Sequence, residues 1–483
     1  MLVAGGGGGR GDGSAGQIYQ LRWKMAQVAK NSVYKVDITG MTHEGQGVGR
    51  IEGFTVFVDD ALEGEQVEVK IIKLNKNYAV GKLLRIKKPS QNRKEPFCAA
   101  YRRCGGCSLQ HLDYKAQLEY KTKLVRESLK RIGKLEGVTV HEAIGMQSPM
   151  NYRNKAQYPV AVVDGKAVTG FYARRSHDVI YSEECGIQDA TSDRIRKLVM
   201  QFISEKNISV YDEAAGSGLL RHIMTRAGFK TGEVMLVLVL NGSELPHGQE
   251  LVKKLVAEIP GIKSIFLNVN TENTNIILGP RNIKIYGSDT IFDYIGRYKF
   301  HISPVSFFQV NPVQTEVLYA KALEYAGLKG SETVFDLYCG AGTISLFLSE
   351  KAGKVYGVEM IEDAVKDARK NAELNAVTNV EFIAGEVENV VPQLYSRGIK
   401  ADVVVIDPPR KGCEESLLKT LVDMEPERIV YVSCNPATLA RDLKYMDENG
   451  YRSVEAQPVD MFPWTAHVES IILMTKCGLE DKK

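Results

Sequence analysis

The segment Val334-Phe-Asp-Leu-Tyr-Cys-Gly-Ala-Gly-Thr-Ile344 constrains the fold of this chain more than any other stretch. A short apolar run ends in Asp336, Gly340 and Gly342 follow, and a helix-like stretch continues through Lys351. Strand, glycine turn and helix in that order let the backbone approach a ligand closely at a helix amino terminus. A second strand-like run, Lys354-Val-Tyr-Gly-Val358, ends in Glu359, seventeen residues beyond Gly342 and about where an acidic side chain meets ribose hydroxyls. Ser345 takes the place of a third fingerprint glycine. This favours a nucleoside without a pyrophosphate, such as S-adenosylmethionine, over NAD.

Strands and helices alternate after residue 332, which predicts a mostly parallel sheet. Within that alternation, Ala401-Asp-Val-Val-Val-Ile-Asp-Pro-Pro-Arg-Lys-Gly412 reads as a buried strand stopped by Asp407 and two prolines. Taken alone it is a rigid turn after a core strand. Amino-directed methyltransferases carry a similar turn ending in an aromatic residue, whereas Arg410 and Lys411 follow here. The apolar run Arg428 to Val432 leads into Ser433-Cys434-Asn435-Pro436, placing a thiol at the carboxyl edge of the sheet, where open α/β folds bind ligands. A lone cysteine is more often a small buried hydrophobe, and Glu469 in His467-Val-Glu-Ser-Ile-Ile-Leu-Met474 is, by itself, a solvated strand end.

Together with Phe307-Phe-Gln-Val-Asn-Pro312, these segments closely resemble the RNA (uracil-5-)-methyltransferase family over about residues 30 to 480. Within it the chain looks like the branch acting on 23S ribosomal RNA. The resemblance implies a Rossmann-like class I methyltransferase domain and S-adenosylmethionine as cofactor. It also implies Cys434 as nucleophile and Glu469 as base, with Gln309, Tyr338, Gly340, Gly342, Glu359 and Asp407 at the cofactor.

The chemistry accounts for the pair. Uracil C5 is too weak a nucleophile to take a methyl group from a sulfonium unaided, and thiolate addition at C6 pushes charge onto it. A base must then remove the C5 proton so that the thiol can leave. A free thiol has a pKa of about 8.5, so a nearby donor or positive charge must favour the thiolate, and the sequence does not say which group does so. Three rival readings stand beside this one. Methylation of a transfer RNA uridine would use the same chemistry. A small-molecule or amino-group methyltransferase would leave Cys434 and Glu469 without a task. A catalytically silent RNA-binding iron-sulfur factor for ribosome assembly would keep its RNA affinity after Cys434→Ala.

Eight cysteines at uneven spacing, without a secretory signal, argue against a disulfide framework. Cys98, Cys104 and Cys107 form a compact group, and Cys185 is the best fourth member. Four thiolates suit a [4Fe-4S] cluster or structural zinc. Zinc sites of this type present two Cys-x-x-Cys knuckles and only one occurs here, while the family resemblance implies the cluster. Cys339, Cys413 and Cys477 receive no chemistry.

The expected organisation has four parts. Residues 1–31 form a disordered Gly-rich tail, or an upstream extension if the native start is Met25, and residues 32–89 an OB-like β-barrel resembling the TRAM domain. Residues 90–290 form a central α+β iron-sulfur and RNA-binding domain, with hairpins at Asp164-Gly165 and Thr231-Gly232, and residues 291–483 form the methyltransferase domain. The barrel's expected strands are Tyr34 to Thr39, Phe54 to Val58, Val67 to Ile72 and Tyr78 to Ile86. Residues 70 to 94 hold nine Lys or Arg and no Asp or Glu, which reads as a groove for phosphate in a chain whose overall charge is only +3.

A helix from about 109 to 133 continues the basic character, with Lys115, Lys121, Lys123, Arg126, Lys130 and Arg131 free for RNA around a packed stripe of Leu112, Ala116, Tyr120 and Leu124. Tyr152-Arg-Asn-Lys155, Arg174-Arg175 and Arg221-His222 are further candidates for nucleotide contact. No apolar stretch approaches the roughly 20 residues of a membrane span. A cytoplasmic enzyme with RNA as its partner, and no obligate protein partner, is the resulting expectation.

Overall fold

A computed structural model describes residues 28–478, divided after Lys94 into two compact units. The expected tail, up to residue 27, and Met25 lie outside the described residues. The first unit is a closed barrel of β1 (Val33–Met41), β2 (Gly47–Ile51), β3 (Phe54–Val58), β4 (Gln66–Leu74) and β5 (Tyr78–Lys88), in the order β1-β2-β3-β5-β4. Alternating residues such as Val36, Ile38, Val56, Val58, Val67, Val69 and Ile71 fill it.

Strand β2 was not expected, because Gly47 and Gly49 read as turn punctuation. They are glycine for another reason. A Cβ on Gly49 would lie 2.3 Å from Val36 Cγ1, and one on Gly47 would lie 2.8 Å from the Ala61 carbonyl oxygen. Arg93 does not belong to a phosphate groove either: its Nε and Nη2 donate to the buried Glu65 carboxylate at 2.5 and 2.7 Å. Exposed basic residues remain, among them Lys73, Lys76, Lys82 and Arg85.

The second unit opens with α1 (Tyr114–Ser128), started by Asp113 accepting from Lys115 N and ended by a π-helical turn, Leu129–Gly133. The helix and the short β6 (Thr139–Val140) leave their sequence neighbours and join the sheet formed after residue 332. Lys121 is a correction to the sequence reading: it is fully buried, with Nζ 2.5 Å from Asp460 Oδ1 and 3.1 Å from the Phe462 carbonyl oxygen.

The central region is a seven-stranded sheet of β7 (Lys155–Val163), β8 (Lys166–Tyr172), β9 (Val179–Tyr181), β10 (Leu220–Ala227), β11 (Val234–Leu240), β12 (Ile262–Val269) and β13 (Arg281–Gly287), with helices α2 (Ala190–Glu205) and α3 (Gly248–Glu258). Both expected hairpins form, β7 to β8 through Asp164-Gly165 at positive φ and β10 to β11 through Gly232. One face packs on α2 and α3. Met224, Met235, Val237 and Phe266 on the other face enter the core of the region that follows.

That region begins with the hairpin β14 (Ile291–Ile295) and β15 (Tyr298–Ile302), then α4 (Pro312–Ala326). Its sheet comprises β16 (Thr333–Leu337), β17 (Lys354–Glu359), β18 (Val380–Ala384), β19 (Val403–Ile406), β20 (Arg428–Ser433), β21 (Tyr451–Val459) and β22 (Glu469–Lys476). The helices between them are α5 (Thr343–Leu348), α6 (Glu362–Leu374), α7 (Val387–Ser396), α8 (Glu415–Met424) and α9 (Pro436–Glu448). The strand order is β18-β17-β16-β19-β20-β22-β21-β6, with β16 to β20 parallel and β22 antiparallel to both its neighbours. The chain reverses its direction of winding between β16 and β19. A crevice opens at the carboxyl ends of the strands at such a point. No helix among the described residues is long and apolar enough to cross a membrane.

Candidate active site

A cavity of about 970 Å³ lies at this crevice, lined by Gln309, Tyr338, Gly340, Glu359, Asp407, Cys434 and Glu469. Of the expected catalytic and cofactor residues, Gly342 alone is not on its wall. Gly342 caps α5 at φ +76, where a Cβ would lie 2.6 Å from Phe382, so its smallness serves the close approach of α5 to its neighbours. Gly340, by contrast, faces open space.

The turn after β16 is strained at Tyr338, a non-glycine residue at φ +63 whose hydroxyl donates to Glu388 Oε1 at 2.8 Å. Glu359, at the end of β17, accepts from Gly340 N at 3.1 Å and Ile361 N at 2.8 Å. A carboxylate has about four acceptor positions, so it ties two loops together and still has lone pairs for a ligand. Gln309 is held from behind, its carbonyl oxygen accepting from Asn154 Nδ2 at 2.9 Å.

Cys434 stands between β20 and α9. Asn435 caps the helix by accepting from Ala437 N, and Pro436 is preset for the first helical position. Asn435 Nδ2 and Thr438 Oγ1 both donate to the Arg410 carbonyl oxygen, at 3.0 and 3.1 Å, clamping the cysteine turn to the Asp407-Pro-Pro-Arg410 turn. Ser433 pairs with Ser470 across β20 and β22, which brings Glu469 to the same edge as Cys434 although 35 positions separate them in sequence.

The charges in the cavity oppose one another. Burial pushes the Cys434 thiol up to about 11, and Glu469 and Asp407 add to the rise while Arg410 works against it. Glu469 is raised well above the usual carboxylate range by burial and by Asp407, again opposed by Arg410. Burial alone raises Asp407 to about 7. Arg410 is therefore the cation that favours both charged forms, a role the sequence reading left open. Phe307, 71 % exposed, stands at the wall. Phe462, Thr465 and His467, from the loop before β22, also line the cavity. Sequence reasoning missed them because no periodicity marks a loop.

The four cysteines gather at a second cavity, of about 290 Å³, whose wall includes Cys98, Cys104, Cys107 and Cys185. Burial pushes Cys107 up to about 12 and Cys185 up to about 11, and neighbouring thiols of the group add to both rises. Such a set suits a cationic group, whose charge would reverse the repulsion. Among the described residues, however, no three His, Cys, Asp or Glu side chains close around one ion position. The expected ligands are assembled but not closed.

Arg174, a candidate for nucleotide contact, instead braces this loop by donating to the Cys107 carbonyl oxygen at 2.8 Å. Gly106 and Arg153 line both cavities. The cysteine segment is tied to the loop before Glu469, since Ser108 N and Leu109 N donate to the Trp464 carbonyl oxygen and Ala466 N donates to Ser108 Oγ.

Known proteins resemble this chain in sequence and in fold. The family described as tRNA (Uracil-5-)-methyltransferase matches residues 289–477, and the TRAM domain matches residues 27–84. An uncharacterized RNA methyltransferase of Clostridium tetani is 56% identical over 460 residues, covering 95% of this chain and 99% of its own length. One from Caldanaerobacter subterraneus is 52% identical over 452 residues, covering 94% and 100%. The crystal structure of Pyrococcus abyssi tRNA (uracil-54, C5)-methyltransferase in complex with S-adenosyl-L-homocysteine is 29% identical, with a TM-score of 0.75 over 92% of this chain and 100% of that one. The chain belongs to the RNA uracil-5-methyltransferase family, in a form that carries a TRAM domain.

Proposed function

We propose that this protein methylates C5 of uridine in 23S ribosomal RNA, using S-adenosylmethionine and a transient bond between Cys434 Sγ and uracil C6. The observation that carries the reading is the meeting of Cys434 and Glu469 at one cavity beside Asp407 and Arg410. The Cys434 thiolate adds to C6, and the displaced electron pair reaches C5 and the O4 enolate. C5 then takes the methyl group, with the sulfonium's S–CH3 bond breaking and its electron pair staying on sulfur as the neutral thioether. Glu469 removes the C5 proton, the C5–C6 double bond re-forms and the C6–S bond breaks, returning the electron pair to sulfur. A raised carboxyl suits a base that must hold a proton between steps.

Gln309, Tyr338, Glu359 and Asp407 fit the cofactor: an acceptor for ribose hydroxyls, a ring to pack on the adenosine, and polar groups toward the sulfonium. Gly340 leaves room for its approach. The cofactor supplies an electrophilic methyl group and a positive charge.

A [4Fe-4S] cluster is part of the same reading, and Cys98, Cys104, Cys107 and Cys185, which share one cavity wall, would hold it. The cavity's four thiol donors and its link to the 462–468 loop support a structural role for that group. A second reading has a specific observation in its favour. The solved relative acts on a tRNA uridine, and the same residues would serve a transfer RNA substrate. Mapping 5-methyluridine in both RNA classes, from cells lacking the protein and from cells carrying Cys434→Ala, separates the two. Loss confined to 23S ribosomal RNA is expected, and loss confined to transfer RNA would overturn the assignment of substrate.

A further inference from the structure

Arg221 and His222 reach neither of the cavities described above. They lie on the wall of a third, of about 750 Å³, on the central sheet. Both are buried, at 3 % and 5 % exposure. The register of β10 against β11 slips between Leu220 and His222, and such a bulge re-aims side chains, here letting two consecutive residues serve one cavity. Arg221 is held firmly: Nη1 donates to the Asn270 and Glu272 carbonyl oxygens at 2.9 and 2.8 Å, Nη2 pairs with Glu213, and the guanidinium lies 4.3 Å from the centre of the Tyr211 ring. Yet Arg221 Nε and His222 Nδ1 are buried without a hydrogen-bond partner. Two unmet polar atoms in adjacent residues of one wall cost free energy, and a turn of either side chain toward a ligand in the cavity would recover it.

The chemistry of the wall narrows the ligand. Tyr172, Tyr211 and His177 supply flat rings, and Ile276 stands at the rim, 67 % exposed. Asp212 and Glu213 also line the cavity, and their charge repels a phosphate. Burial and the Arg221 charge lower His222 to about 4, so its imidazole is neutral at physiological pH. The wall therefore brings a guanidinium held by its own partners and a neutral imidazole together between aromatic surfaces. An unstacked base presents the complement, an acceptor next to a donor on its edge, with a face for stacking.

The position fits the same RNA strand that enters the active site. At the other end of β10, Arg226 Nη2 donates to the Ser306 carbonyl oxygen at 2.6 Å, beside Phe307 of the catalytic cavity. Four residues of strand separate it from His222, roughly 13 Å.

We propose that this cavity takes an unpaired nucleobase of the RNA substrate, a few nucleotides from the target uridine. The inference rests on the reading that the protein acts on RNA, but not on methyl transfer. The test is equilibrium binding of a single-stranded oligouridylate carrying 4-thiouridine, followed by photocross-linking and peptide mapping with the full chain. His222→Leu removes the imidazole from the wall. Ile276→Asp, at an exposed rim position, adds a charge without endangering the fold.

Both variants are expected to weaken binding by about tenfold, the scale of one stacked base. Cross-links in the wild-type protein are expected at Tyr172, His177 or Tyr211. Unchanged affinity in a folded Ile276→Asp protein, or cross-links confined to other segments, overturns the proposal. If cross-links appear at the cavity and no methylation of any uridine is found, the base pocket stands and the catalytic reading alone falls.

Discussion

Cys434 sits among acids that oppose its ionisation, and this gives a prediction with a definite sign. Asp407 carries a charge above about pH 7 and raises the neighbouring thiol. Removing that charge with Asp407→Asn lowers the thiol pKa. Alkylation of Cys434 by iodoacetamide at about pH 8.5, read by peptide mass, is then expected to speed up severalfold. A slower or unchanged rate would contradict the electrostatic account. For the same reason wild-type kcat/KM should rise with pH between about 6 and 9, as the thiolate fraction grows. Glu469→Gln keeps the size and loses the base, so it should accumulate a covalent RNA adduct that turns over at least about a hundredfold more slowly, measured by denaturing gel. At this scale the sequence was legible where side chains project from a turn after a strand, as with Asp407 and Cys434, whereas Glu469 opens β22 and joins them through strand pairing. It was not legible for Lys121, because helical periodicity tells which face a residue occupies but not that Asp460, more than 300 positions away, waits there. Arg410 was seen in the sequence, but its effect depends on two turns meeting through the Asn435 clamp.

Two elements carry measurable consequences. The turn between β16 and α5 needs Gly342, where a side chain meets both a positive φ and the Phe382 ring. Gly342→Ala should cost about 1–3 kcal/mol in urea unfolding and weaken S-adenosylmethionine binding, because the displaced α5 carries the cavity wall. In the barrel, burial works against the charge of Glu65, but Arg93 and the N–H groups of Leu62 and Ser90 outweigh it and hold the carboxyl below its ordinary range. A lowered carboxyl contributes stability that is present above its unfolded pKa and lost as pH falls through the folded one. The wild-type barrel should therefore lose stability on acidification below about pH 4.5, while Glu65→Gln should be less stable at neutral pH and respond less to acid, measured by thermal melting. Hairpins were readable here because Asp-Gly and Thr-Gly turns have local chemistry. Strand β2 was not, because its glycines answer a crowding that only barrel closure creates.

Across the molecule, the proposed function gives the basic barrel and the crevice different parts of recognition, since phosphate contacts bring affinity and base contacts bring choice. Replacing Lys73, Lys76 and Lys82 by alanine should weaken RNA binding without altering the rate at saturating RNA. It should also reduce the dependence of log affinity on log salt by about 2 to 3, close to one unit for each phosphate that no longer meets a lysine. The small barrel and the strand alternation of the C-terminal region could be read from the sequence. The transfer of α1 and β6 to the catalytic sheet could not, because nothing local records a long-range pairing. The central claim is a sulfur–carbon bond between Cys434 and the target base. Its most direct measurement is incubation with S-adenosylmethionine and RNA in which 5-fluorouridine replaces uridine, so that no proton is left at C5 for Glu469 to remove. The account predicts a stable complex whose tryptic map shows methylated fluorouridine attached to Cys434. Methylated RNA formed at the normal rate with Cys434 unmodified would contradict it.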